Sequence, residues 1–299
     1  MAIFKGAGVA IVTPFNEDLS INFDKLDELL EEQISEGTDA IIICGTTGES
    51  ATLSEKEHIE AIRFTAQRVK GRIPVVAGTG SNSTATAIHL TEEAEKVGAD
   101  ATLVVSPYYN KATQKGLIAH FSAIANSVKI PMMVYNIPGR TGVAIAPKTL
   151  AYLVKNVDNI VAVKEATGDI GTVARIMNYC DGKIDLYSGN DDQIVPLMSL
   201  GGCGVVSVLS NMAPKYTREI VAKYLAGETD AAARMQIKAI PLIDALFSEV
   251  NPIPIKAAMN ILGKNVGGLR APLTVLEQEH QAILQVAIDD YLKYAPTFY

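Results

Sequence analysis

The sequence predicts an α/β protein, a (β/α)8 TIM barrel with a C-terminal extension of about three helices. Three observations lead there. Short, nearly all-apolar runs rich in β-branched residues alternate with longer amphipathic segments, as strands buried on both faces and their covering helices must. Eight such runs occur, at 8–12, 40–44, 74–77, 101–105, 131–135, 160–164, 184–187 and 204–208, and eight strand–helix repeats favour a closed barrel over an open doubly wound sheet. The 299 residues exceed the roughly 250 that such a barrel needs by about one short appendage.

The helices follow from spacing and punctuation. Residues 23–35 place Phe23, Leu26, Leu29, Leu30 and Ile34 on one stripe, close to the i, i+3, i+4, i+7 pattern. Ser54 precedes Glu57 by three, the signature of a capping box at the start of the next helix. Gly37, Gly71, Gly98 and Gly182 fall where helices should stop, because glycine takes up the left-handed closing conformation without a Cβ penalty. After the eighth repeat the strands cease, and 229–247, 253–262 and 274–294 read as three further helices. The expected division is a catalytic barrel over 1–228 and a helical extension over 229–299 packed on it, with no linker between them. The sequence assigns residues 295–299 neither a docked nor a frayed role.

Composition narrows the function classes. Apolar residues make up 48% of the chain and charged residues 20%, enough to fill a large core and contrary to disorder. A formal charge of −7 disfavours nucleic acid and anionic membranes as partners, both of which reward basic patches. It leaves acidic small molecules open, since one local Arg or Lys can hold a carboxylate. Cys44, Cys180 and Cys203 are odd in number, widely spaced and without a C-x-x-C, which speaks against a disulfide framework or a zinc site. Cys44 and Cys203 lie in apolar runs and are expected in the core. The first residues lack a basic segment followed by an apolar stretch, and no apolar run approaches the ~20 residues that span a bilayer. A reducing cytoplasm is the expected compartment.

In a barrel of this class the active site lies at the C-terminal ends of the strands. The residues expected there are Gly45-Thr46-Thr47-Gly48-Glu49-Ser50, Gly78-Thr79-Gly80, Pro107-Tyr108-Tyr109-Asn110, Tyr135-Asn136-Ile137-Pro138-Gly139-Arg140-Thr141-Gly142, Lys164-Glu165 and Ser188-Gly189-Asn190-Asp191-Asp192. Lys164 is the pivot. It ends the apolar run Ile160-Val161-Ala162-Val163, shares a face with Ala162 and opposes Glu165, so Glu165 is not its direct partner. If it points into the barrel, its amine is desolvated and its pKa falls; the alternative is a strand-end lysine facing solvent. A neutral amine attacks a ketone to give an imine, and the protonated imine is an electron sink from which the neighbouring carbon loses a proton. Tyr135, at the end of the preceding strand, is placed to shuttle protons if it has a hydroxyl partner, for which Thr46 and Thr47 are the candidates. Gly139 and Gly142 around Arg140 suggest a tight turn presenting a guanidinium, whose planar fork suits a carboxylate.

Gly78-Thr79-Gly80 is too short for a dinucleotide fingerprint, and no P-loop, G-x-S-x-G or H-E-x-x-H occurs. His58, His89, His120 and His280 fall in helical stretches and are expected to be solvated or capping residues rather than ligands. No metal and no organic cofactor is expected.

Taken together, the strings Gly45-Thr46-Thr47-Gly48-Glu49, Pro107-Tyr108-Tyr109-Asn110, Tyr135 to Gly142 and Val163-Lys164-Glu165 resemble the dihydrodipicolinate synthase and N-acetylneuraminate lyase superfamily of aldolase-type barrels, over essentially the whole chain. The resemblance implies condensation of pyruvate with L-aspartate-4-semialdehyde on the way to lysine. It implies that Lys164 forms the pyruvate imine and that Tyr135, Thr47 and Tyr109 form a proton relay, with Tyr109 donated by a neighbouring subunit. Thr46 and Thr47 are implied to hold pyruvate, Thr47 nearest its carboxylate, and Arg140 to bind the carboxylate of the semialdehyde. Gly189 and Val206 are implied to line the pocket through backbone groups, and the assembly to be a homotetramer built as a dimer of dimers, or a homodimer.

Gly139-Arg140-Thr141-Gly142 is the discriminating string, because neuraminate lyases usually lack that arginine and keto-deoxy sugar acid aldolases vary the loop. The alternatives are such a sugar-acid lyase, separable by assaying condensation against cleavage, and a non-catalytic barrel that only binds keto acids, separable by reductive trapping. The resemblance also implies a possible effector cleft for lysine at Ser50, Ala51, Glu55, His58, Asn82, Thr86 and Tyr108. Feedback-inhibited bacterial members typically carry histidine in place of Glu55 and glutamate in place of Thr86, so weak inhibition or none is expected here.

Overall fold

The computed structural model describes residues 2–298; Tyr299, and with it the end of the 295–299 segment, lies outside the described residues. In chain order the elements are β1 (Gly6–Ala10), α1 (Phe23–Ser35), β2 (Ala40–Ile43), α2 (Glu55–Val69), β3 (Val75–Gly78), α3 (Thr84–Lys96), β4 (Ala101–Val105), α4 (Gln114–Ala125), β5 (Met132–Asn136), α5 (Pro138–Thr141), α6 (Pro147–Asn156), β6 (Ile160–Glu165), α7 (Ile170–Tyr179), β7 (Asp185–Ser188), α8 (Ile194–Met198), β8 (Gly204–Ser207), α9 (Pro214–Leu225), α10 (Thr229–Leu246), α11 (Ile253–Ile261) and α12 (Gln278–Tyr294). Among the described residues the eight strands pair in sequence order, all in parallel, and β8 returns to β1 to close the barrel.

The closing seam explains why the first strand starts at residue 6 rather than at the expected 8. Gly6 and Gly204 pair across it with φ of 133° and 154°, conformations that side chains rarely adopt. A Cβ on Gly204 would run into the carbonyl of Gly6, so an apolar run is barred where the strands come closest. The capping box at Ser54 and Glu57 forms as expected, and Gly37, Gly71, Gly98 and Gly182 take φ of 84°, 70°, 98° and 64° just beyond their helices. The last long helix begins at 278, not 274, because the Glu277 amide is drawn off to the Glu249 carboxylate at 2.8 Å.

Side-chain alternation sorts the strand residues into two cores. Ala10, Ile42, Val76, Leu103, Met133, Ala162 and Val206 fill the barrel interior, while their neighbours Val9, Ile41, Ile43 and Val75 meet the helices outside. Phe4 and Tyr187 stack at the N-terminal end with ring centroids 4.4 Å apart, and the Tyr187 hydroxyl accepts from the Phe4 amide at 3.2 Å and donates to the Phe4 carbonyl. The floor is thereby sealed, and any pocket must open at the other end. The extension is not a separate body. Met235, Leu242, Ile255, Met259, Leu284 and Ile288 enter the same apolar cluster as Val9 and Ile41.

One polar contact ties the extension to the mouth. Lys256, on α11, is buried and donates to Glu49 Oε1 at 2.9 Å and to the Thr13 carbonyl at 3.0 Å. Glu49 Oε2 accepts the Arg270 amide at 3.0 Å. Every polar group of this pair is met, the condition under which buried charge is tolerated.

Candidate active site

Lys164 ends β6 with its side chain inside the barrel, on the face of Ala162 and only 6% exposed. In register it lies beside Tyr135 on β5 and Tyr187 on β7. Its Nζ sits 4.3 Å from the centroid of the Tyr135 ring. Burial pushes its pKa down to about 7; the Asp191 carboxylate opposes that fall and the Arg140 guanidinium adds to it. A large fraction of the amine is therefore neutral near neutral pH, which is what nucleophilic attack on a carbonyl requires. Glu165 faces the other way, as alternation requires, with Oε2 accepting from Asn136 Nδ2 at 2.8 Å and Oε1 from the Thr167 amide at 2.7 Å.

Tyr135 is 5% exposed, and burial raises its phenol well above the usual range, an effect the Arg140 charge and a hydrogen bond with the Thr46 side chain partly offset. Of the two candidate hydroxyls, Thr46 is the one that bears on the phenol's electrostatics, and Thr47 Oγ1 accepts from Asn251 Nδ2 at 2.9 Å. Adjacent residues in the loop after β2 present their side chains in different directions, and spacing alone does not say which one reaches the phenol.

Arg140 rides on α5, a single helical turn ended by Gly142 at φ 74°, and its Nη2 donates to the Asn251 carbonyl at 3.1 Å. Gly189 lies against the lysine. A Cβ there would come 3.0 Å from Lys164 Cε and 2.7 Å from Ala166 Cβ, so the close approach requires glycine. Val206 is fully buried in the interior beneath these groups. Tyr109, at φ 71°, is 90% exposed and stands outside the pocket of its own chain.

A cavity of about 420 Å³ opens at this end, and it runs from Thr46 and Arg140 out to Ser50, Ala51, Glu55, His58, Thr86 and Tyr108. Asn82, the seventh residue of the expected effector cleft, is not on its wall; its carbonyl accepts from Asn110 Nδ2 at 2.7 Å.

Two histidines depart from expectation. His58 is buried with Nε2 2.6 Å from the Gly78 carbonyl, and His120 is buried with Nδ1 2.9 Å from Thr84 Oγ1. Desolvation lowers both pKa values, that of His120 to about 4. They sit on the inward faces of α2 and α4, where a helical position reads as polar only until the packing is known. Cys44 is buried as expected, whereas Cys203 is half-buried.

Asp191 was not singled out in the sequence. It is buried, and its Oδ2 accepts the amides of Val208 and Leu209, each at 2.9 Å, just beyond β8. Its charge holds the Lys164 pKa up against burial and Arg140. Asp191→Asn removes that charge at constant shape, so the Lys164 pKa should fall further. The pH at which Lys164 becomes capturable by a keto acid and borohydride should move to a lower value; an unchanged or higher midpoint would remove Asp191 from the electrostatics of the site.

With the geometry in place, known proteins can be set beside it. A family model described as "Dihydrodipicolinate synthetase family" matches residues 3–291. A protein of Lachnoclostridium phytofermentans named 4-hydroxy-tetrahydrodipicolinate synthase is 61% identical over 284 residues, 95% of this chain and 97% of that one. The crystal structure of the chloride-inhibited dihydrodipicolinate synthase of Acinetobacter baumannii complexed with pyruvate is 43% identical, covers 96% of this chain and 98% of that chain, and superposes with a TM-score of 0.93. A Cyanidioschyzon merolae enzyme of the same name, solved with lysine bound, is 41% identical over 97% of this chain and 99% of that chain, with a TM-score of 0.94. A buried, near-neutral lysine between two barrel tyrosines and a match from end to end lead to one conclusion: the chain belongs to the dihydrodipicolinate synthetase family.

Proposed function

We propose that this chain condenses pyruvate with L-aspartate-4-semialdehyde, the 4-hydroxy-tetrahydrodipicolinate synthase reaction of lysine and diaminopimelate biosynthesis, through an imine on Lys164. The observation that carries the reading is the burial of that amine at the end of β6, with its pKa near 7. The neutral amine adds to the ketone carbon of pyruvate, and loss of water gives the protonated imine. Its methyl carbon gives up a proton to form the enamine, which attacks the aldehyde carbon of the second substrate. The new carbon–carbon bond forms as the aldehyde oxygen takes a proton. Attack of the substrate's own amino group on the imine carbon closes the ring and frees Lys164.

Tyr135 carries the protons beside Lys164, in a relay with a neighbouring subunit's Tyr109 and a threonine hydroxyl of the loop after β2, Thr47 or the Thr46 whose side chain bears on the phenol. Thr46 and Thr47 hold pyruvate, with Thr47 at its carboxylate, and backbone groups at Gly189 and Val206 complete the pocket. Arg140 takes the carboxylate of the semialdehyde at the mouth. The barrel over 1–228 supplies the chemistry, and the extension over 229–299 braces its rim. The compartment in this reading is the cytoplasm, in keeping with three free thiols; among the described residues no helix is long and apolar enough to cross a membrane.

A charge-assisted pair at a substrate carboxylate contributes about 1.5–3 kcal/mol. Arg140→Ala should therefore reduce use of the semialdehyde by roughly ten- to a hundredfold, while imine formation with pyruvate survives. Equal loss of both would place Arg140 on the pyruvate or in the scaffold. Efficient cleavage of a sialic or keto-deoxy sugar acid without condensation would favour the lyase reading instead.

Tyr109 faces outward, which suits donation to a neighbouring subunit's relay in a homodimer or a homotetramer. Mixing inactive Tyr109→Phe and Tyr135→Phe proteins under subunit exchange should restore activity, because a hybrid dimer then holds one site with both tyrosines. No recovery despite proven exchange would return Tyr109 to its own chain.

A relative of this chain binds lysine, and Ser50, Ala51, Glu55, His58, Thr86 and Tyr108 line one cavity here. Thr86 offers an effector ammonium a neutral hydroxyl where a carboxylate would make a charge-assisted bond, a difference of about 1–2 kcal/mol, or roughly five- to thirtyfold in affinity. Glu55 restores one negative charge nearby. Titration should show little inhibition at about 1 mM lysine, a concentration that corresponds to weak binding. Half-inhibition well below that, competed by neither substrate, would contradict the reading and turn attention to Glu55.

A further inference from the structure

Asn251 lies in the connection between α10 and α11, in the extension and far in sequence from every site residue. It is 5% exposed. Its Nδ2 donates to Thr47 Oγ1 at 2.9 Å, and its main-chain carbonyl accepts from Arg140 Nη2 at 3.1 Å. Its Oδ1 is buried with no partner among the described residues. A buried amide oxygen left unpaired is costly, and the one hydrogen bond the side chain makes is that of its nitrogen to Thr47.

That contact decides a proton. A threonine hydroxyl has one hydrogen and two acceptor lone pairs. Taking the amide N–H into one lone pair turns the hydrogen away from Asn251. Among the described residues Thr47 Oγ1 makes no other hydrogen bond, so no protein acceptor takes that hydrogen. An acceptor-only group, such as a carboxylate, is what a free donor recognises.

Both sides of the contact are braced. Two residues beyond Thr47, Glu49 is pinned by Lys256 at 2.9 Å and by the Arg270 amide at 3.0 Å. Two residues before Asn251, Glu249 accepts the Glu277 amide at 2.8 Å and meets His280 Nδ1 at 2.7 Å. Groups held this way lose little freedom when a ligand arrives.

We propose that Asn251 is a positioning residue that fixes Thr47 as a hydrogen-bond donor toward the pyruvate carboxylate while its main-chain carbonyl anchors Arg140, so that one loop of the extension aligns both substrate subsites. The inference rests on the reading that pyruvate binds at Thr47. Asn251→Asp keeps the shape but accepts only, so it takes up the Thr47 hydrogen itself; Asn251→Ala leaves the hydroxyl free to rotate. The main-chain anchor of Arg140 persists in both.

Steady-state KM for each substrate, with and without Thr47→Val, tests this. Asn251→Asp should raise the pyruvate KM by about tenfold or more and Asn251→Ala by less. The semialdehyde KM should stay within about twofold, and neither substitution should add to Thr47→Val beyond that margin. A packing role would make alanine the more harmful change, and simple charge repulsion would persist in the Thr47→Val protein; either result overturns the proposal. Should the aspartate variant not fold, the Asn251→Ala and Thr47→Val pair carries the same test, with additive losses as the contradicting outcome. Failure of the unaltered protein to form a trappable pyruvate adduct would instead overturn the proposed function, and this inference with it.

Discussion

The site depends on an amine buried without an acid of its own. Lys164 sits at the end of an apolar strand, and no hydrogen-bond acceptor among the described residues holds its Nζ. Withdrawal from water disfavours the charged form of such a group, and here the amine's pKa comes down to about 7. The fold contains a control for this argument. Lys256 is also buried, and desolvation lowers its pKa too, but Glu49 and two main-chain carbonyls take its protons. One lysine has its hydrogen bonds met; the other does not, which is the condition the proposed imine chemistry needs.

The rest of the molecule keeps Lys164 in that condition. The Phe4–Tyr187 floor closes the barrel below it, and the glycine at 189 lets the β7 loop close over its methylene chain. Asp191 supplies a counter-charge across the loop rather than at bonding distance along the strand, enough to oppose the full effect of burial and Arg140 without pairing the amine off. The extension reaches the same rim through Lys256 and Asn251, so that three helices which carry none of the expected site residues bear on the geometry of two of them.

Much of this was legible in the sequence, for identifiable reasons. The eight apolar runs betrayed the barrel because both faces of each strand are buried, and alternation put Lys164 and Glu165 on opposite faces, of which the structure turns that of Lys164 inward. What escaped were facts decided between distant segments. The first strand's start depends on a glycine pair at the closing seam. Which of the two threonines after β2 turns toward Asn251 is a matter of loop direction, and it is Thr47. Two helical histidines are buried because their helix faces pack inward. Asp191 carried a faint signal, an acid two residues past a glycine at a strand end. Asn251 carried none, since its role exists only once residues 47, 140 and 251 are brought together.

If burial makes Lys164, alone among the lysines, a carbonyl nucleophile near neutral pH, a keto acid must be captured there and nowhere else. Incubation with pyruvate and borohydride followed by peptide mass spectrometry tests it directly. The account predicts a single reduced pyruvyl adduct per chain, on Lys164. An adduct on the still more deeply buried Lys256, on the exposed Lys111 of the β4 loop, or spread over several lysines would contradict it.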